Sequence, residues 1–264
     1  EEVTMRLTRA LALVVTIGAG ATASAGGARP VSPADLLAAA RQMVLVTTPD
    51  WNTVQGTLRV YERAGTGPWT PARVGGGAPI AIVVGKSGTA WDPAMVPPVA
   101  GPVKAEGDGR SPAGVFALGT AFGFAKAADA RWTKLGYTEL TPTIECVDDI
   151  GSGYYNTLTD RAAVSVDWTS SEKMRQVDPQ YRWGVVVEYN TAPAVPKRGS
   201  CIFLHIAGAD GKGTAGCTAM DETALKAVMQ WLDPKNAPVL VQLPVAAHGA
   251  LRTAWALPEL SAPR

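Results

Sequence analysis

Cys217 and His205 are the two residues in this 264-residue chain whose types and spacing suit nucleophilic chemistry. A cysteine attacks as its thiolate, which a neighbouring imidazolium or helix N-terminus favours, so a histidine folded back against it would serve as base. His205 precedes Cys217 by twelve positions, and Gly208, Gly211, Gly213 and Gly216 lie in or at the end of the connection. Glycines there let the backbone take positive φ or approach another group closely. The N–H groups of Gly216 and Cys217 are placed to face a carbonyl oxygen under attack, forming an oxyanion hole. The alternative is structural, because free cysteine is among the most buried residue types and a histidine at a strand end is often a core residue. His248 is the only other histidine. It follows the last expected strand, reads as a surface residue, and is the sole substitute for His205 as base.

The elements that must position these groups are legible in the hydrophobic pattern. Residues 201–206 form an apolar run of buried-strand character that carries His205 near its end. Beyond Cys217, Asp221 reads as a helix cap, with Leu225, Val228, Met229 and Leu232 on one face and Pro234 past the end. Cys217 is therefore expected on a loop entering a helix. Further strands are expected around 54–60, 80–84, 115–118, 144–147, 184–189 and 239–243, and a short appended helix from Ser32 and Pro33 to Met43. Asp148 and Asp149 read as a solvated turn, with capture of a substrate ammonium as the alternative. The pattern is mainly β, two packed mixed sheets with one helix following the cysteine loop.

Composition narrows the function classes. Lys plus Arg number 24 against 23 Asp plus Glu, so no basic field points to nucleic acid. The three cysteines form no CxxC pair, which gives zinc and redox motifs no support. With Cys217 set aside as nucleophile, Cys146 and Cys201 remain for a bridge, two buried thiols being the alternative. Lys86-Ser87 and Lys212 lack the spacing of a phosphate loop, because isoleucines occupy the required glycine positions. Near the N-terminus, Met5, basic Arg6 and Arg9, an apolar stretch over 10–21 and Ala23-Ser24-Ala25 read as a secretory signal cleaved after Ala25. The resulting division is a signal with a short upstream extension (1–25), linker and N-terminal helix (26–50), catalytic domain (51–247) and C-terminal tail (248–264).

Two segments resemble the L,D-transpeptidase catalytic domain, also called YkuD. Thr214-Ala215-Gly216-Cys217 after His205 matches that family's active-site motif, and Asp108-Gly109-Arg110-Ser111-Pro112-Ala113-Gly114-Val115-Phe116 resembles its upstream signature. The resemblance implies a β-sandwich and an exported enzyme acting on peptidoglycan peptide stems in the periplasm or cell wall. Cys217 would be nucleophile, His205 base and then acid, Gly216 an oxyanion donor and Thr214 a supporting hydroxyl. It also implies a monomer needing no cofactor or metal, and reactivity with carbapenems. Hydrolysis on the same scaffold and a noncatalytic wall-binding module are the alternatives. The family usually carries arginine two positions after the cysteine. Ala219 stands there, so either another cation fills the role, with Arg175, Arg182 and Lys212 nearest along the chain, or the enzyme takes a donor that lacks the carboxylate an arginine would bind.

Overall fold

The computed structural model describes residues 32–95 and 98–260. The signal segment and most of the linker lie outside the described residues. In chain order the first strands are Gln42–Thr48 (β1), Gln55–Glu62 (β2), Thr70–Pro71 (β3), Ile80–Val83 (β4), Thr89–Trp91 (β5), Ser111–Gly123 (β6) and Tyr137–Glu139 (β7). Then come Ile144–Cys146 (β8), Leu158–Asp160 (β9), Glu172–Lys173 (β10), Trp183–Val187 (β11), Phe203–Ile206 (β12), Thr218–Met220 (β13) and Val239–Pro244 (β14). Three α-helices accompany them: Pro33–Ala39 (α1), Glu222–Trp231 (α2) and Val245–Leu251 (α3).

The strands close on themselves. The order β1-β14-β6-β11-β12-β13-β4-β2 returns to its start because β2 also pairs with β1. This corrects the expected sandwich: the main sheet is an eight-stranded barrel, with β3, β5 and β7 attached to its strands and β10-β8-β9 as a separate small sheet. Closure follows from β1, which hydrogen-bonds along both edges, parallel to β14 and antiparallel to β2. Its side chains alternate accordingly. Val44 and Val46 join a core that draws on all eight barrel strands, whereas Met43 and Leu45 join a second core covered by α1 and α3. Both faces are apolar, so every β1 residue is buried. The expected helix to Met43 therefore stops at Ala39, and the reading of this region as an appendage is corrected.

The C-terminal region also departs from its expected form as a tail. Pro244 leads directly into α3, Ala247, Leu251 and Leu257 enter the second core, and His248 is buried rather than at the surface. The helix after the cysteine loop matches its pattern. The Asp221 side chain accepts from the Thr223 and Ala224 N–H groups, and Leu225, Val228 and Met229 turn into the barrel core. Among the described residues no helix is long and apolar enough to cross a membrane.

Candidate active site

A third apolar cluster sits where the small sheet meets the barrel, and Cys217 belongs to it together with Phe122, Met174, Tyr181, Phe203 and the Cys146–Cys201 pair. Those two cysteines form a disulfide, which leaves Cys217 as the free one. The bridge ties β8 of the small sheet to the chain entering β12. Cys201 has a φ of 55°, unusual for a residue with a Cβ, and its N–H is held by the Asn156 side chain at 2.8 Å.

Each expected site residue reaches one cavity. His205, Thr214, Gly216 and Cys217 line a space of about 180 Å³. His205 is delivered by β12, paired with Gly184 of β11 and Ala219 of β13. The connection to Cys217 is strapped to the barrel through Lys86 N–H to the Thr214 carbonyl at 2.8 Å and Thr214 N–H to the Val84 carbonyl at 3.0 Å. Gly213 runs so close to Lys86 that a Cβ would lie 2.5 Å from its Cα, so the glycine there serves close approach. A short strand, β13, intervenes between Cys217 and α2. The thiol is therefore not at a helix entrance as expected.

The upstream motif explains itself structurally. The Ser111 hydroxyl accepts from the Gly85 N–H and donates to the Cys217 carbonyl, both at 2.9 Å. Arg110 reaches the Trp51 and Thr89 carbonyls at 2.9 and 3.0 Å, and Asp108 accepts from the Arg110 N–H at 2.9 Å. The Ser111 bond ties the Cys217 carbonyl to the barrel wall, and the Arg110 and Asp108 bonds hold the upstream motif that carries Ser111. Thr214 does similar work: its hydroxyl donates to the Cys217 carbonyl at 2.6 Å and accepts from the Gly216 N–H at 3.1 Å. Gly216 is thus not an oxyanion donor in this arrangement, because its N–H is spent inside the loop. Its place beside Cys217 answers to space, with the Arg110 carbonyl and Ile202 each 3.2 Å from where a Cβ would stand.

Burial favours the neutral form of both Cys217 and His205. Burial pushes the Cys217 thiol far above its ordinary range, with the nearby Glu172 adding to the effect. The thiol donates to the Cys201 carbonyl and its sulfur accepts from the Phe203 N–H, each at 3.3 Å. Burial lowers His205 to about 4, against a contact with the Ile206 carbonyl that favours the charged form. That contact, Nδ1 to carbonyl oxygen at 2.8 Å, fixes Nδ1 as the protonated nitrogen and presents Nε2 as a proton acceptor. Desolvation is the largest influence on each, so burial favours thiol and imidazole over thiolate and imidazolium.

Several lining residues carry no signal in the sequence. Lys104 has its ammonium in the cavity wall, 2.6 Å from Asp108 and 2.7 Å from the Ala105 carbonyl, with its side chain 3% exposed. Glu106, Glu172 and Tyr181 also line the space, as does Asp148, which the sequence offered as a solvated turn residue or an ammonium ligand. One Asp148 carboxylate oxygen is buried without a hydrogen-bond partner, whereas Asp149 turns away to bind Thr169. The cations named by chain order are elsewhere: Arg175 binds the Phe124 carbonyl, Arg182 pairs with Asp178, and exposed Lys212 pairs with Asp210. Lys104 is the cation that lines the cavity. Ala219 is fully buried between His205 and Val83. His248, in α3, is not among the lining residues. Among the described residues no group of three or more His, Cys, Asp or Glu could hold a metal ion.

No curated protein and no solved structure matches the chain. The family model for the L,D-transpeptidase catalytic domain (YkuD) matches residues 52–241, well over half the chain and spanning the upstream motif, His205 and Cys217. The chain is a member of the L,D-transpeptidase catalytic domain family.

Proposed function

We propose that this protein is an exported cysteine L,D-transpeptidase that remodels peptidoglycan peptide stems through a thioester. The observation that carries the reading is the meeting of Cys217 and His205 in one small cavity, the histidine neutral with Nε2 proton-free. In the first half-reaction the thiol proton passes to His205 Nε2 as Sγ bonds to the carbonyl carbon of the stem's third residue. The Cys217 N–H is the oxyanion donor left from the expected pair. Collapse breaks the bond to the terminal D-Ala nitrogen, which takes the proton back from His205, and a thioester remains. In the second, the amine of a neighbouring stem attacks the thioester, its proton goes by way of His205 to the departing sulfur, and a cross-link forms. Lys104 is the group we assign to the donor's carboxylate, in place of the arginine that Ala219 replaces.

The hydrolytic alternative uses the same first half and lets water resolve the thioester. Incubation with tetrapeptide-stem muropeptides, followed by mass spectrometry, distinguishes them. Cross-linked dimers are expected. Trimmed monomers alone, at every acceptor concentration, would move the assignment to hydrolase. Cys217→Ser should lose both turnover and covalent labelling by a carbapenem; label retained on that variant would overturn the nucleophile assignment, and no label on the wild type would leave a binding module.

A further inference from the structure

Tyr181 is the side chain through which the small sheet touches the nucleophile. Its ring is packed edge-on against Phe122, Phe203 and His205, with centroids 5.8, 5.7 and 5.2 Å away and interplanar angles of 82°, 88° and 81°. The ring is 5% exposed, so the hydroxyl hydrogen is the part left to rotate. In this structure the hydroxyl donates to Glu172 Oε2 at 2.6 Å, and the side chain shares one apolar cluster and one cavity wall with Cys217.

Glu172 reaches it from β10. Pairing of Glu172 with Cys146 and of Lys173 with Glu145 sends alternate side chains to opposite faces. Lys173 faces Glu145 at 3.9 Å, and Glu172 enters the cavity wall. The position of Glu172 is therefore set by the strand that the disulfide holds beside the Cys201 carbonyl.

A tyrosine hydroxyl has one proton to give. While Glu172 is a carboxylate, that proton points at it, and the sulfur meets oxygen lone pairs backed by a negative charge. Both features oppose a thiolate. Once Glu172 is a neutral acid, it donates its own proton to the tyrosine oxygen, and the tyrosine proton is released to turn toward the sulfur. We infer that Glu172 is a positioning residue for Cys217, setting the direction of the Tyr181 hydroxyl, and that the reactive form of the site carries Glu172 as the neutral acid. The inference rests on the reading of Cys217 as the nucleophile.

The surroundings favour that form near neutrality. Burial raises the Glu172 carboxyl to about 7, with the charges of Asp148 and Glu106 adding to the rise and the Tyr181 hydroxyl opposing it. From β12, His205 faces the site as a neutral ring. From the segment before β6, the Lys104 ammonium is bonded to Asp108 and the Ala105 carbonyl. On the chain beside Glu172, Lys173 faces Glu145 and Arg175 bonds the Phe124 and Leu140 carbonyls. None of these cations bonds Glu172.

Cys217 is the single unpaired cysteine, so its thiolate fraction can be followed by the rate of iodoacetamide alkylation, measured on the full chain from about pH 5 to about pH 10. In the wild type, log rate against pH should rise, flatten through the Glu172 ionisation near pH 7 and then rise again. Glu172→Gln, neutral at every pH and able to donate to Tyr181, should remove the flattening and give about tenfold or more thiolate at a given pH above it, the equivalent of one pKa unit. Glu172→Ala should recover less, and Tyr181→Phe added to Glu172→Gln should cancel the gain. An unflattened wild-type profile overturns the inference even if no variant folds. So does a folded Glu172→Gln with an unchanged or higher thiol pKa, or equal behaviour of Gln and Ala. Alkylation involves no peptide substrate, so these outcomes are independent of whether muropeptides are cross-linked, trimmed or untouched. Carbapenem labelling of Cys217 against Cys217→Ser separately tests the nucleophile reading.

Discussion

Acidification should cost this fold stability through His205, and the size of the loss can be worked from its setting. The imidazole is 6% exposed, edge-on to Tyr181, and its pKa falls from 6.5 to about 4 because burial disfavours the charged ring. A pKa lower in the folded than in the unfolded chain means that, below pH 6.5, the unfolded chain binds the proton first. The stabilising contribution is thus fully present above 6.5 and is lost as pH falls toward the folded value. The gap from 6.5 to about 4 corresponds to about 3 kcal/mol. That is a large share of the roughly 5–15 kcal/mol that holds a typical domain together. Urea unfolding of wild type and His205→Gln at several pH values between about 4 and 7.5 isolates it, because carboxylates common to both proteins cancel in the difference. Relative to wild type, the variant should gain about 3 kcal/mol on going from the neutral to the acid end. A difference constant to within about 0.5 kcal/mol would refute the buried neutral imidazole, and with it the proton-free Nε2 that the mechanism uses.

Reduction of the Cys146–Cys201 bridge, which spans 55 positions, should cost about 4 kcal/mol in the chain-entropy description. Unfolding midpoints with and without reductant check this. His248→Ala should lower stability by about 1–3 kcal/mol through lost packing under α3, while leaving the rate of carbapenem acylation unchanged. Stopped-flow acylation and thermal melts together read both effects. Lys104→Met should slow acylation by a carboxylate-bearing donor by about tenfold or more, as expected for one lost charge-assisted contact. An unchanged rate constant would remove Lys104 from donor recognition.

What the sequence made legible was local. Asp221 and the Leu225, Val228, Met229 spacing specify α2 because a cap and a 3.6-residue period are written in adjacent residues. The β12 run was equally plain, whereas the Cys146–Cys201 bridge was one of two open readings, buried thiols being the other, because spacing alone does not show whether two cysteines meet. Barrel closure was not legible, since it depends on β1 meeting β14 across nearly the whole chain. A strand buried on both faces also lacks the alternation that announces a strand, which is why Met43 read as the end of a helix. His248 misled for a related reason: nothing in its neighbours signals that α3 packs beneath Leu257. In the site, Lys104, Glu172 and Tyr181 are ordinary residues in unremarkable stretches, and only tertiary pairing brings them to Cys217. Gly216 lines the cavity beside Cys217, but its N–H partner, Thr214, lies in the same motif and holds the donor that was expected to face a substrate oxygen.

The strand that closes the barrel also decides where the protein can be cut. Residues 52–241, the segment matched to the family, omit β1 altogether and end inside β14. A fragment trimmed to those limits would strip the partner from one side of β2 and from one side of β14 at once. Each would then present a row of unanswered N–H and C=O groups flanked by Val44's former neighbours in the core, a template for pairing with other copies. Recombinant boundaries drawn from the family match would thus be expected to yield aggregates, whereas boundaries that begin ahead of Pro33 and run through Leu257 keep the ring sealed and both of its apolar faces covered.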